Sequence, residues 1–276
     1  MPYDPSKIAE MIASFEDGVT QKGRPTGQAT GGRSFEANLA IALGSFISQI
    51  AQELRIDPLL IRGEDENGQI LKNEIYLGLS YRNRSIIWNL PSLNVSSQSK
   101  KDNQTVRYSW LARKYDVSIW YDRVLGALDN RGWVPIPEDE TNYHGERYSE
   151  IYKGSQITFD GTIALIESDQ LRRKIFIEAK SAKSSNKGRI DGNAHERFSY
   201  QNLEYLELAT LYPSTQLLLL TNDAFVRYKN KYHTGFGVHA VRLSNAFGFY
   251  SFDMVSTKSQ YVRLFNSWKS WIEGAS

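Results

Sequence analysis

The sequence predicts an α/β chain built on a mixed central β-sheet flanked by helices. Three stretches carry that expectation. Lys174 to Lys180 reads Lys-Ile-Phe-Ile-Glu-Ala-Lys, a β-type run in which alternate residues share a face. Asn193 to Leu211 has Phe198, Asn202, Tyr205, Leu206, Ala209 and Leu211 at helix-compatible spacing, and Pro213 ends it. Gln216-Leu217-Leu218-Leu219-Leu220-Thr221 is apolar on both faces, the mark of a strand buried under helices. Strand, helix and buried strand make a βαβ unit, and a sheet with helices on both sides follows.

The other elements are read in order. Lys7 to Phe15 carries a helical stripe of Ile8, Met11, Ile12 and Phe15. Gly18 to Gly32 reads as a loop, and Ser34 suits the N-cap of a helix whose apolar face runs Phe35, Leu39, Leu43, Phe46, Ile47, Ile50 and Leu54. Between Leu71 and Trp88, Glu74–Leu77 and Arg84–Trp88 read as strands split by Gly78 and the Arg-Asn-Arg that begins at Arg82. Ser92 to Gln104 and Pro135 to Glu146 read as loops. Tyr108 to Leu128 admits a helix, or a strand at Val117–Tyr121. Thr158–Glu167 and Lys174–Lys180 read as a hairpin joined through Ser168–Arg172. Val238–Leu243 and Phe247–Val255 are β-like, and a helix from Ser259 to Ile272 presents Tyr261, Leu264, Phe265, Trp268 and Trp271 to the core or to a dimer seam. No repeat or linker divides the chain, which is expected to form a single domain over residues 1–276 with its functional core at about 155–225.

Composition narrows the class. The chain is 41% hydrophobic and 23% charged, the balance of a globular protein with a sizeable core. It has no cysteine, which removes disulfides and thiolate metal sites and suits a reducing compartment. The N-terminus has no basic-then-apolar leader and no run reaches membrane-spanning length, so a cytoplasmic location without a membrane partner is expected. The net charge is only +2, but from Arg172 to Arg197 eight basic residues face three acidic ones. Such a local excess can neutralise phosphates on a nearly neutral protein.

The candidate chemistry lies in the same stretch. On the strand Ile175 to Lys180, alternation sends Ile175, Ile177 and Ala179 into the core and puts Phe176, Glu178 and Lys180 on the other side. A hairpin partner brings Asp160, of Asp160-Gly161, beside Glu178. Two adjacent carboxylates raise one another's pKa unless a cation lies between them. Oxygen ligands of this kind favour Mg²⁺, which would polarise a phosphate and acidify a bound water. Lys180 would orient that water and offset charge on the pentavalent transition state. The expected reaction is phosphodiester hydrolysis by in-line attack of water. Glu36 reads either as an accessory acid near the metal or as a helix-dipole or solvated residue, and the four histidines show no metal-ligand spacing.

Asp160 followed by Glu178-x-Lys180 resembles the signature of the PD-(D/E)xK nuclease superfamily. Gly192-Asn193-Ala194-His195-Glu196-Arg197 resembles the Gly-Asn-Ala-x-Glu-Arg recognition segment of the EcoRI/MunI-like type II restriction endonucleases. The resemblance runs from Thr158 to Thr221. It implies a restriction-endonuclease-like fold, Asp160 and Glu178 as Mg²⁺ ligands, and Lys180 as the catalytic lysine. It also implies that Asn193, Ala194 and Arg197 contact bases in the major groove of a site containing AATT, with Glu196 tying the arginine into a network across a homodimer. The chemistry of these side chains agrees: Asn pairs with adenine N6 and N7, and Arg with purine acceptors. Asn193 also suits a helix N-cap, and the two roles are compatible. Lys183, Lys187 and Arg189 in the intervening loop are candidate phosphate contacts. The family's proline before the Asp is Phe159 here, a position that shapes the chain and carries no chemistry.

These residues lead to an expected type II restriction endonuclease. It would be a homodimer that cuts a short palindromic double-stranded DNA site with Mg²⁺, alongside a cognate DNA methyltransferase that protects the host's own sites. The rival expectations are a structure-specific repair or junction nuclease of the same superfamily and a DNA-binding protein without catalysis.

Overall fold

The computed structural model describes residues 2–13, 28–64, 70–89, 131–134, 144–145, 155–181, 216–224 and 252–275. Nine strands and three helices lie among them: α1 (Pro5–Ala13), α2 (Gln28–Leu54), β1 (Leu59–Glu64), β2 (Ile70–Tyr81), β3 (Arg84–Asn89), β4 (Arg131–Val134), β5 (Ser155–Thr158), β6 (Gly161–Glu167), β7 (Gln170–Lys180), β8 (Gln216–Thr221), β9 (Phe252–Val255) and α3 (Lys258–Glu273). Seven strands form one sheet in the order β1-β2-β3-β6-β7-β8-β9, and β4 pairs with β5 apart from it.

The sheet is mixed, as the sequence predicts, and β7 is where it changes character. β1, β2, β3, β6 and β7 pair antiparallel, whereas β7, β8 and β9 pair parallel. Parallel neighbours need a crossover connection, which agrees with the βαβ reading. The helix expected at Asn193–Leu211, the strand at Val238–Leu243 and the segment Tyr108–Leu128 lie outside the described residues.

One face of the sheet carries the described helices. Leu77, Leu79, Ile86, Trp88, Ile163, Leu165, Ile175, Ile177, Ala179, Leu218, Leu220 and Val255 join a single apolar cluster with the inner faces of α1, α2 and α3. Phe46 of α2 is its hub, with its ring 5.3 Å from Phe265, 5.8 Å from Trp268 and 6.0 Å from Trp88. The opposite face is buried too, through Ile87, Ala164, Ile166, Phe176, Leu217 and Leu219. Burial on both sides explains why β8 is apolar throughout.

α3 forms where a capping box starts it. Thr257 accepts from the Gln260 N–H, the Gln260 side chain returns to the Thr257 N–H, and Gly274 closes the helix at φ 81°. Its buried residues are Tyr261, Phe265, Trp268 and Ile272, so this face belongs to the core, whichever surface a dimer uses. Asp223 donates its N–H to Ala13 O at 2.8 Å, which ties the end of α1 to the end of β8.

Several local expectations are corrected. α2 begins at Gln28, so residues 28–32 are helical and Ser34 lies inside the helix and does not cap it. α1 ends at Ala13, and Phe15 is outside the described residues. Gly78 does not split a strand: β2 runs through it, and a Cβ there would meet Ile86 O at 2.9 Å. This is a close approach of two backbones, the second common reason for glycine in a strand. The β6–β7 turn is only Ser168–Asp169, both left-handed at φ 51° and 62°, as a tight hairpin requires. β7 therefore starts at Gln170 and not at Lys174. β1 and β4 were not anticipated.

Phe46→Ala would empty the hub of the aromatic cluster. Urea unfolding should show a loss of about 3–5 kcal/mol, and a loss below about 1 kcal/mol would show that Phe46 does not organise this core.

Candidate active site

The site is built where β5 gives way to β6. The β6–β7 ladder ends at the Gly161–Ile177 pair. One residue further out, the Asp160 carboxylate takes over from the main chain and accepts the Ala179 N–H at 2.8 Å. This bond places Asp160 beside Glu178, as the hairpin reading requires. Ala179 turns its methyl into the helix-side core, so Glu178 and Lys180 must point to the opposite face.

Phe159 immediately precedes Asp160 in the chain. It is fully buried, with its ring 4.4 Å from that of Phe176, on the strand face that also carries Glu178. Stacking holds the chain just before Asp160 by packing, where a proline would restrict it through φ.

Glu178 is 4% exposed, a low figure for a carboxylate. Its Oε1 accepts from Lys180 Nζ, and its Oε2 is buried without a hydrogen-bond partner. Burial pushes the Glu178 carboxyl up to about 7, and the Asp160 charge adds to this, while the Lys180 ammonium pulls it back. Asp160 is likewise raised by burial, against the opposing pull of Lys180 and of the Ala179 N–H. Burial alone would lower Lys180, but the charges of Glu178, Asp160 and, in addition, Glu36 hold it above its ordinary value. Desolvation therefore governs both carboxylates, and one ammonium does not compensate two of them.

That balance bears on a metal. Among the described residues no group of three or more His, Cys, Asp or Glu is gathered to hold an ion, so the oxygen donors on offer are Asp160 and Glu178. Mg²⁺ needs no more, since it uses one or two carboxylates and takes its other ligands from water and phosphate. The buried Oε2 and the two raised carboxyls fit a divalent cation. Glu178 and Asp160 would hold it, and once bound it would polarise a phosphate oxygen and acidify a water.

Asp160, Glu178 and Lys180 are thus brought together as predicted. Lys183, Lys187, Arg189, Asn193, Ala194, Glu196 and Arg197 lie outside the described residues. Glu36 belongs with the site more than its sequence context suggested. Phe35 and Leu39 of α2 are buried in the core, and the half-buried Glu36 beside them acts on Lys180. Thr221 went unnoticed in the sequence. It pairs with Lys180 in the β7–β8 register, is fully buried, and donates to Ser256 Oγ at 2.6 Å. The only sequence signal was a hydroxyl ending an apolar run.

No protein-family model, curated protein or solved structure matches this chain. Among the described residues no helix is long and apolar enough to cross a membrane.

The raised Glu178 predicts a pH dependence of stability. Its folded value of about 7 exceeds the ordinary 4.5, so the folded chain keeps a proton that the unfolded chain loses in that interval. Stability of the metal-free protein should fall as pH rises across this window and level off above it. Chemical denaturation should show this slope, on the order of 3 kcal/mol in all, in the parent and not in Glu178→Gln. Parallel pH profiles for the two proteins would contradict the assignment.

Proposed function

We propose that this protein is a Mg²⁺-dependent type II restriction endonuclease, hydrolysing double-stranded DNA at a short palindromic site that contains AATT. The observation that carries the reading is the cluster of Asp160, Lys180 and the buried Glu178, with Glu178 Oε2 lacking any partner. A carboxylate so placed is costly unless a cation meets it. The cluster sits at the end of a strand shared by the antiparallel and parallel parts of the sheet. The Gly192–Arg197 segment supports sequence-specific DNA as the substrate over other phosphodiesters.

In this reading Asp160 and Glu178 would hold the cation, which would polarise a phosphate oxygen. Lys180, held protonated by its carboxylate neighbours, donates toward the attacking water or the phosphate oxygens and offsets charge that builds up in the transition state. Asn193, Ala194, Glu196 and Arg197 supply base recognition, and Lys183, Lys187 and Arg189 supply phosphate contacts. The protein acts as a homodimer on a two-fold site. It works in the cytoplasm, with a methyltransferase of the same specificity protecting the host's DNA.

Digestion of a sequenced phage DNA tests this directly. Discrete fragments should appear with Mg²⁺, vanish in EDTA and be absent with Glu178→Ala. Lys180→Gln should slow cleavage on the order of 10²–10³-fold while leaving duplex binding intact. Fragment ends without AATT would remove the roles given to Asn193 and Arg197 but leave the catalytic assignment. Smeared or branch-specific products would indicate a structure-selective nuclease, and an uncut substrate under every condition would end the nuclease reading.

A further inference from the structure

β7 ends at Lys180, and its main chain is held differently on its two sides. Successive N–H groups of a strand turn to opposite sides. The Ala179 N–H goes to Asp160 on the β6 side, so the Lys180 N–H faces β8. The β6–β7 ladder has already stopped at Gly161–Ile177, whereas the β7–β8 ladder reaches Lys180–Thr221. Among the described residues, the backbone of Lys180 thus has the end of β8 as its ladder partner.

β8 is itself at the end of a ladder there. Its last pair with β9 is Leu220–Val255, and Thr221 and Ser256 each lie one residue beyond. Side chains take over from the main chain. Thr221 Oγ1 donates to Ser256 Oγ at 2.6 Å, with Val255 O a longer second acceptor at 3.5 Å. The Ser256 N–H donates at 2.9 Å to Gln260 Oε1, on the side chain that also closes the capping box of α3. The Tyr261 hydroxyl donates to Thr221 O at 2.8 Å. The ends of β8 and β9 are therefore pinned to each other and to the first turn of α3. The faces agree. Ala179, Leu220 and Val255 belong to the helix-side core, so Lys180, Thr221 and Ser256, each the next residue, form a row on the face that carries Glu178. Thr221 and Ser256 are too deeply buried to touch a substrate, and their part in the site is mechanical.

We propose that Thr221 is a positioning residue for Lys180. Its hydroxyl bond to Ser256 anchors the end of β8 and, through the β7–β8 ladder, fixes where the lysine stands against the two carboxylates. The proposal rests on the nuclease reading above. Asp160 does the matching work on the other side of β7, where a carboxylate replaces a ladder bond. In-line attack is sensitive to displacements of about 1 Å, which can cost on the order of 10²-fold in rate. A ladder end left to fray beside Lys180 supplies such a displacement. Valine has nearly the shape of threonine but would leave the buried Ser256 hydroxyl without this partner.

The test compares full-length Thr221→Val, Thr221→Ser and Ser256→Ala with the parent at a temperature where all are folded. In EDTA, amide exchange at Lys180 should accelerate in Thr221→Val and Ser256→Ala, while exchange at Phe176, deeper in the same ladder, should not. With Mg²⁺ and a duplex carrying the mapped site, both variants should lose kcat by about 10- to 10²-fold at unchanged KM. Thr221→Ser keeps the hydroxyl and should restore most of the rate. Since the two residues share one bond, Thr221→Val/Ser256→Ala should be no slower than either single variant. Should Thr221→Val fail to fold, Ser256→Ala removes the same bond from its other end. Parental kcat without the bond, or a Thr221→Ser as slow as Thr221→Val, overturns the positioning role alone and leaves the bond to stability. A parent that cuts no duplex overturns the nuclease reading and this proposal together.

Discussion

The constraint on which the functional end depends is that the last part of β7, from Ile175 to Lys180, is buried on both faces and still carries two charges. Its helix-side residues, Ile175, Ile177 and Ala179, lock the strand into the core, and the pleat then forces Glu178 and Lys180 onto the other side. The strand cannot slip by one residue to relieve the burial of Glu178, because the same slip would turn three core side chains outward. The carboxylate is thus desolvated by the packing of its neighbours. Asp160 is held by the N–H of Ala179, the residue whose methyl anchors the strand. One short segment fixes both carboxylates through its own geometry.

Support for that segment comes from both sides. On the helix side, the Phe46, Trp88, Phe265 and Trp268 rings bind α2 and α3 to the sheet. Tyr261 of α3 donates its hydroxyl to Thr221 O at 2.8 Å, at the strand position paired with Lys180. On the other face, Phe159 and Phe176 stack next to the carboxylates. A shift in α3 would therefore reach the β8 terminus through a hydrogen bond, and a shift in Phe159 would reach Asp160 through one peptide unit. The site sits on rigid elements, which is what the proposed in-line chemistry on a phosphate would require.

What was legible in the sequence was whatever depends on periodicity. Alternation in Ile175–Lys180 foretold which side chains meet, and the unbroken apolar run of β8 foretold a strand covered on both faces. Asp160 was legible because a hairpin partner at that distance has few places to go. Readings that rested on a single residue's propensity failed. Ser34 looked like a cap because serine often caps, but α2 already begins at Gln28. Gly78 looked like a break because glycine permits one, whereas the backbone of β3 passing close by is invisible in one strand's sequence. The hairpin turn was drawn too long because Arg172 and Arg173 are polar, while the turn itself is made by two left-handed residues, neither of them glycine. Thr221 was missed, and Glu36 was left between two readings, for a related reason: their relation to Lys180 comes from a parallel register and from the placement of α2, not from spacing along the chain.

Phe159 bears on how the position of Asp160 is held. What the site needs at that position is a chain held still immediately before a carboxylate, and two kinds of side chain can provide it. A proline restricts φ covalently. Phe159 reaches the same end by burying a ring against Phe176, at the cost of depending on the core around it. Restraint by packing is lost when the core loosens, while restraint by a ring closure is not. The geometry of Asp160 is therefore tied to the stability of the whole sheet, and the same hydrophobic packing that desolvates Glu178 also holds its partner carboxylate in place. The electrostatic strain of the site and the order of the site have one source.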